Sequence, residues 1–189
     1  MPRIPTLTTE RLVMRPPTPG DLEDLTELFG DPEVTHFVVQ GRTLSSVQVA
    51  HMLETALAEA RHGSSHPSAV AGIPGTLVII RRSESGGEFS GMGVLRMLVP
   101  DMAAAIGGCP EPAIEMGYIL AKKFWGQGFA TEAAQELVRF GVHVAGKEHV
   151  IAVADVANTV SHRVLEKVGF ACQKEFDYLD MRMNYWTLP

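Results

Sequence analysis

Ala130, Ala133, Leu137, Phe140 and Val144 recur at helical spacing, with Glu132, Gln135, Glu136, Arg139 and His143 between them. This predicts an amphipathic helix with its apolar stripe toward a core. Ahead of it the period falls to two: Ile114, Met116, Tyr118 and Leu120 share one face of a predicted strand, and Glu115 and Gly117 the other. Between strand and helix stands Phe124-Trp125-Gly126-Gln127-Gly128-Phe129. The unit therefore reads strand, glycine turn, helix.

The same patterns organise the rest of the chain. Leu12 and Met14, flanked by Arg11, Val13 and Arg15, read as a first strand ended by Pro16-Pro17. Thr18 is placed to cap a helix with Pro19 at its first position, Leu22, Leu25, Leu28 and Phe29 as its buried stripe, and Gly30-Asp31-Pro32 as its stop. A second helix is expected from Ser46 to Arg61 through Val49, Leu53, Ala56, Leu57 and Ala60, followed by a loose Gly63 to Pro67. Thr76 to Arg82 and Gly91 to Leu98 read as the strands of a hairpin linked by Ser83 to Ser90. In Val99 to Pro112 the prolines and glycines point to a plain surface loop, against the alternative that its apolar Met102 to Ile106 folds over a neighbour or the acceptor. Val150 to Ala154 is a strand expected beside Ile114 to Leu120. Asn158 to Val168 is the last helix, with Val160, Val164, Leu165 and Val168 inward and Gly169 at its C-cap, and Phe170 to Leu188 holds a terminal hairpin.

A glycine turn that opens a helix is an anion cradle, because the first N–H groups of the helix are unpaired and the dipole is positive there. Gly126, Gly128 and then Thr131 do not give the G-x-G-x-x-G spacing of a dinucleotide fold, and a G-x-x-x-x-G-K-[ST] loop is absent. A connection with glycines for turn geometry alone remains open on this motif by itself.

The combination is more specific. Trp125-Gly126-Gln127-Gly128-Phe129-Ala130-Thr131-Glu132-Ala133, preceded by Glu115-Met116-Gly117-Tyr118 and followed by Asn158 to Phe170, resembles the acetyl-CoA-binding core of the GNAT N-acetyltransferases. It is similar in particular to the branch that includes the ribosomal-protein N-terminal acetyltransferases, and Leu7 to Arg15 is similar to that branch's first strand. The resemblance implies an α/β (α+β) fold: a twisted, mixed, mostly antiparallel sheet flanked by helices on both faces. It implies one domain over residues 1–189, with acetyl-CoA as co-substrate and a primary amine as acceptor, either a protein N-terminus or a small molecule.

Composition is compatible with this. A length of 189 residues suits one domain with a sizeable core, and 46% hydrophobic with 20% charged residues is ordinary for a globular chain. No apolar run is long enough to span a bilayer, the N-terminus lacks a signal-like apolar core, and two cysteines make no disulfide framework. A soluble, cytoplasmic protein with no membrane partner is expected. The net charge of −6 without a Lys/Arg cluster argues against nucleic acid and is compatible with a cationic amine. His62 and His66 have a metal-pair interval, but Gly63 and Pro67 argue against a helix presenting both, so no metal is expected.

Under the resemblance, the backbone N–H groups of Gln127, Gly128, Phe129, Ala130 and Thr131 hold the cofactor's pyrophosphate, and the pantetheine arm runs beside the strand carrying Glu115. Amine attack needs a neutral nucleophile, and Glu115 is the expected general base, against the alternative that it merely faces solvent. Asn158 is placed either as a plain N-cap or as a pantetheine contact as well. Many relatives carry a tyrosine acid seven residues beyond that asparagine; Leu165 stands there, and Ser161 on the same helix is the expected substitute, through its hydroxyl or a held water. That substitution keeps a non-catalytic acyl-CoA-binding module open as the alternative. A homodimer contact is expected, if anywhere, at the terminal hairpin or at Met102 to Ile106.

Overall fold

The computed structural model describes residues 5–62, 73–84, 86–110 and 112–189. Its strands are β1 (Leu7–Thr8), β2 (Leu12–Arg15), β3 (Gly75–Ser83), β4 (Gly86–Met97), β5 (Ile114–Leu120), β6 (Val150–Asp155), β7 (Ala171–Tyr178) and β8 (Met181–Thr187). They form one eight-stranded sheet in the order β1-β2-β3-β4-β5-β6-β8-β7. Neighbours are antiparallel except β5 and β6, which run parallel. The helices are α1 (Leu22–Gly30), α2 (Pro32–Thr35), α3 (Ser46–His62), α4 (Pro100–Ile106), α5 (Phe129–Arg139) and α6 (Thr159–Val168). The expected mixed, mostly antiparallel sheet with helices on both faces is the observed architecture.

Alternation along β5 assigns the two faces. Ile114, Met116 and Leu120 join the largest core cluster with Ala133, Ala134 and Leu137 of α5 and Leu165 of α6. Ile119 points the other way, into a cluster with Leu25, Leu28 and Phe29 of α1 and Val49 and Leu53 of α3. A third cluster lies on that second face, where Met102 and Ile106 of α4 meet Ile151, Phe176, Met183 and Tyr185. Glu115 and Gly117 share the second face with Ile119 and belong to neither of its clusters.

Several sequence expectations are corrected. Leu7 to Arg15 is not one strand but a hairpin, with Leu7 opposite Met14 and the Thr9 amide donating to the Leu12 carbonyl at 3.0 Å. The link between β3 and β4 is shorter than Ser83 to Ser90, because Arg81 opposite Glu88 and Ser83 opposite Gly86 extend the ladder almost to the turn. Residues 99–112 are not merely a loop. Pro100 occupies the first helical position, where its missing N–H is harmless, and Gly107 ends α4 by donating to Ala103. Met102 and Ile106 are thereby buried within their own chain.

Three apolar residues are misplaced by simple periodicity. Val144 is 57% exposed because α5 continues as a π-helical turn over Phe140–Val144, in which Ala145 donates to Phe140 and the stripe changes phase. Val160 is 68% exposed, five positions ahead of buried Leu165 and hence about 140° away around the helix. Leu22 is also exposed and lines an open groove with Pro19, Leu53 and Leu57 between α1 and α3. The Gly63 to Pro67 segment, and with it His66 of the histidine pair, lies outside the described residues.

Candidate functional site

The parallel ladder between β5 and β6 consists of Ile114 opposite Val150 and Glu115 opposite Ile151. No pairing between the two follows, while β5 stays paired to β4 as far as Leu120 and β6 to β8 as far as Asp155. The two strands thus part in the middle of the sheet. Backbone groups alternate along a strand, and the Ile114 amide donates toward β6, to His149, at 2.8 Å. The Met116 amide closes the Glu115–Ile151 rung, and the Met116 carbonyl with the backbone groups of Tyr118 and Leu120 therefore faces the widening gap. One of them is satisfied by a side chain, since Trp125 Nε1 donates to the Leu120 carbonyl at 2.8 Å.

The glycine turn sits at the open end of that gap. Gly126 and Gly128 have φ of +72° and +82°, in the left-handed region that glycine enters without strain. Gly128 is the N-cap of α5 and supplies no side-chain cap. The first bond of the helix runs from the Glu132 amide to the Gly128 carbonyl at 3.0 Å, so the amides of Gly128, Phe129, Ala130 and Thr131 precede the helical ladder. Phe129 is 5% exposed, with its ring against Phe124, so only its backbone is available to a ligand. Ala130 and Thr131 are half-buried. Gln127 is exposed and turns its side-chain amide back onto the Lys123 carbonyl at 2.7 Å.

Glu115 lies at the closed end of the gap, five residues and roughly 17 Å of strand from Leu120. It does not face open solvent: its side chain is 12% exposed and Oε2 accepts from Arg96 Nε at 3.0 Å. Arg96 is its direct partner across the β4–β5 ladder. A carboxylate with one guanidinium contact keeps lone pairs for a further donor.

The third side comes from α6. Asn158 is its N-cap, its side-chain oxygen accepting from the Ser161 amide at 3.1 Å, which leaves Nδ2 for another partner. Ser161 is half-buried on the first turn. Beneath it stands Tyr118, whose hydroxyl is buried without a hydrogen-bond partner of good geometry. Burial pushes the Tyr118 phenol up, and the neighbouring Ser161 hydroxyl only partly offsets this. Leu165 is 2% exposed in the core, so the position of the expected tyrosine is filled by packing.

The structure thus gathers the turn, β5 and the start of α6 around one opening. Sequence reasoning missed Arg96, Tyr118, Arg11 and Glu132. Arg96 had no local signal, because its pairing with Glu115 crosses from β4 to β5, whereas Arg11 lies within the Leu7 to Arg15 similarity. Among the described residues no group of histidine, cysteine or carboxylate side chains has the arrangement of a metal site, and no helix is long and apolar enough to cross a membrane.

A sheet parted at its centre beside an uncapped helix start leaves strand backbone groups and helix N–H donors facing one gap. Solved structures share this fold. An acetyltransferase of the GNAT family from Bacillus anthracis superposes with a TM-score of 0.76 over 97% of this chain and 98% of its own, at 18% identity. A ribosomal L7/L12 alpha-N-protein acetyltransferase in complex with coenzyme A superposes at 0.70 over 97% and 98%, at 15% identity. At such identities these establish the fold. In sequence, an uncharacterized N-acetyltransferase, p20, of Bacillus licheniformis is 26% identical over 90% of this chain and 83% of its own. An FsC-acetyl coenzyme A-N(2)-transacetylase of Aspergillus fumigatus is 29% identical over 91% and 67%. Residues 11–171 match the family described as acetyltransferase (GNAT) domain, and the chain belongs to that family. The general activity is GNAT-type, acetyl-CoA-dependent acetyl transfer.

Proposed function

We propose that the protein transfers acetyl from acetyl-CoA directly to a primary amine, on a protein N-terminus or a small molecule, with Glu115 as general base. The observation that carries this reading is the parting of β5 from β6 between the uncapped start of α5 and Glu115. Pyrophosphate is held by the amides of Gln127 to Thr131, where the dipole and unpaired N–H groups favour an anion. The pantetheine arm lies along Met116 to Leu120, taking up backbone groups that no strand meets, and contacts Asn158 Nδ2.

The acceptor approaches from the second face, in the strip around Glu115 and Gly117 that the α1/α3 and α4 clusters leave between them. Glu115 removes a proton from the ammonium, directly or through water. The neutral nitrogen then adds to the thioester carbonyl. Collapse breaks the C–S bond, the extra proton on the adduct's nitrogen passes to the departing sulfur directly or through water, and the thiol leaves near Ser161 and the buried Tyr118 hydroxyl. A thiol has an ordinary pKa near 8.5, so this departure does not require a strong acid.

Both acceptor types have support. The coenzyme A-bound structural neighbour is named for acetylating a ribosomal protein's α-amino group, and the fungal relative is named as an N(2)-transacetylase. The branch of ribosomal N-terminal acetyltransferases is part of this proposal on the Leu7 to Arg15 and Trp125 to Ala133 similarity. Leu165 supports one second reading, an acyl-CoA-binding module without efficient transfer.

The deciding experiment is calorimetric titration with acetyl-CoA followed by thiol release against N-terminal peptides and small amines. Transfer to one acceptor class by the wild type, and a fall in kcat of about 100-fold or more in Glu115→Gln with acetyl-CoA affinity kept, is expected. Binding without release supports the module. Undiminished turnover in Glu115→Gln removes the base.

A further inference from the structure

The turn between β1 and β2 lies against the glycine turn that precedes α5. Glu132, in the first turn of α5, accepts from Thr9 Oγ1 at 2.5 Å, from the Arg11 amide at 2.9 Å and from Arg11 Nε at 2.6 Å. Arg11 Nη1 donates onward to the Gln127 carbonyl at 3.0 Å, and the guanidinium lies 4.4 Å over the Phe129 ring. The turn is itself held from β3: Arg82 Nη1 donates to the Thr9 and Glu10 carbonyls, both at 3.2 Å, and the Arg82 amide to the Arg11 carbonyl at 2.8 Å. A single arginine therefore joins the N-terminal hairpin to both ends of the candidate cradle.

We propose that Arg11 is a positioning residue for the phosphate-binding amides, and this rests on the acetyl-CoA reading of the Gly126 to Thr131 turn. A trans peptide directs its C=O and N–H oppositely. By holding the Gln127 carbonyl, Arg11 turns the Gly128 N–H away from itself and toward the opening. Gly128 adopts φ +82° and has no side chain to oppose rotation of that peptide, so an external anchor has an effect there.

Arg11 also solves an electrostatic conflict. An acidic side chain in the first turn of a helix competes with an anionic ligand for the same positive end. Burial pushes the Glu132 carboxyl up, but Thr9, the Arg11 amide and the Arg11 guanidinium outweigh that and hold it below the usual carboxylate range. Its charge is thereby paired and its oxygens committed to the hairpin side. Arg11 Nη2 has no hydrogen-bond partner among the described residues and would lie 3.4 Å from a Cβ added at Gly128. The guanidinium keeps one free edge at the rim of the cradle.

The test compares two ligands by calorimetry: coenzyme A, which carries the pyrophosphate, and pantetheine, which does not. Arg11→Ala is expected to weaken coenzyme A by about 10- to 100-fold and pantetheine by less than about twofold, because only the former uses the cradle. Arg11→Lys keeps the charge but loses the fork, and is expected to fall between. Adding Glu132→Gln to Arg11→Ala is expected to restore part of the loss by removing the unpaired carboxylate.

Equal weakening of both ligands, in a variant whose melting temperature falls, marks a structural role and overturns the proposal. So does wild-type affinity for coenzyme A in a folded Arg11→Ala protein. Should that variant not fold, the same comparison on Arg11→Lys decides. Failure of the wild type to bind coenzyme A overturns the cofactor reading itself, a separate result.

Discussion

Gly128→Ala tests the cradle where the structure states its requirement most sharply. Gly128 sits at φ +82°, ψ −1°, and a left-handed backbone costs an L-residue with a Cβ roughly 1–2 kcal/mol. The added methyl would meet Arg11 Nη2 at 3.4 Å, an ordinary contact, so the penalty is conformational and not steric. Two outcomes are open to the protein. If the turn keeps its geometry, stability falls by the full ~1–2 kcal/mol, a drop in Tm of about 2–8 °C for a chain of this size. If the turn relaxes instead, the peptide held by Arg11 rotates, the amides no longer converge, and coenzyme A binding weakens by about tenfold or more while Tm moves less. Thermal melting with and without coenzyme A, read beside calorimetry, resolves the two. Gly128→Asn is the internal control, since asparagine tolerates the left-handed region and should show a smaller effect on the same axis. A Gly128→Ala protein with wild-type Tm and wild-type affinity would refute both the conformational argument and the assignment of these amides to phosphate.

Asn158 carries two roles that different substitutions separate. Asn158→Asp keeps the oxygen that accepts from the Ser161 amide but loses Nδ2, and is expected to leave Tm within a degree or two and raise the Kd for acetyl-CoA; Asn158→Ala is expected to lose about 0.5–2 kcal/mol of stability as well. Equal Tm and Kd in both variants and the wild type would remove either role. At the other end of the chain, burial pushes the Asp21 carboxyl up, but the Arg15 guanidinium, at 2.6 and 2.8 Å, with the Thr18 amide and hydroxyl, overrides this and leaves it below its ordinary value. A depressed carboxylate stabilises above its unfolded pKa, about 3.9, and that contribution is lost as pH falls through the lower folded value. Acid unfolding followed by circular dichroism should therefore show a shallower slope below about pH 4 in Asp21→Asn than in the wild type. An unchanged slope would contradict the assignment.

The parts of this fold that local physics determines were legible in sequence. The helix at Ala130 is announced by its period and by Gly128, the helix at Asn158 by an N-cap and by Gly169, which indeed takes φ +102°, and the closing hairpin by its alternation. What escaped depended on partners distant in sequence. Pro100 and Gly107 break structure in general, yet here they bracket one short helix that is stable because Ile151, Phe176 and Met183 bury Met102 and Ile106. Val144 misled because a π-helical turn alters the period after Arg139, and nothing local marks that turn. At the site, Glu115 and the glycine turn were readable as residues, but not the Arg96 pairing or the opening beside Tyr118, which exist only once β4, β5 and β6 are assembled.

On the proposed function, the parting of β5 from β6 lets one sheet serve two ligands. A continuous ladder would satisfy every backbone group of Met116 to Leu120 and leave nothing for a cofactor to bind; two wholly separate sheets would lose the common core that fixes the cradle relative to Glu115. Pairing that stops after Glu115 gives both. The closed end is held by the Ile114 and Glu115 ladder, and the open end by Trp125 on the Leu120 carbonyl and by the Arg11 bridge to Gln127. On that reading, an arm entering from the α5 face reaches Glu115 on the opposite face, the face shared by the α1/α3 and α4 clusters. Acetyl transfer would take place through the sheet, with each ligand entering from its own face.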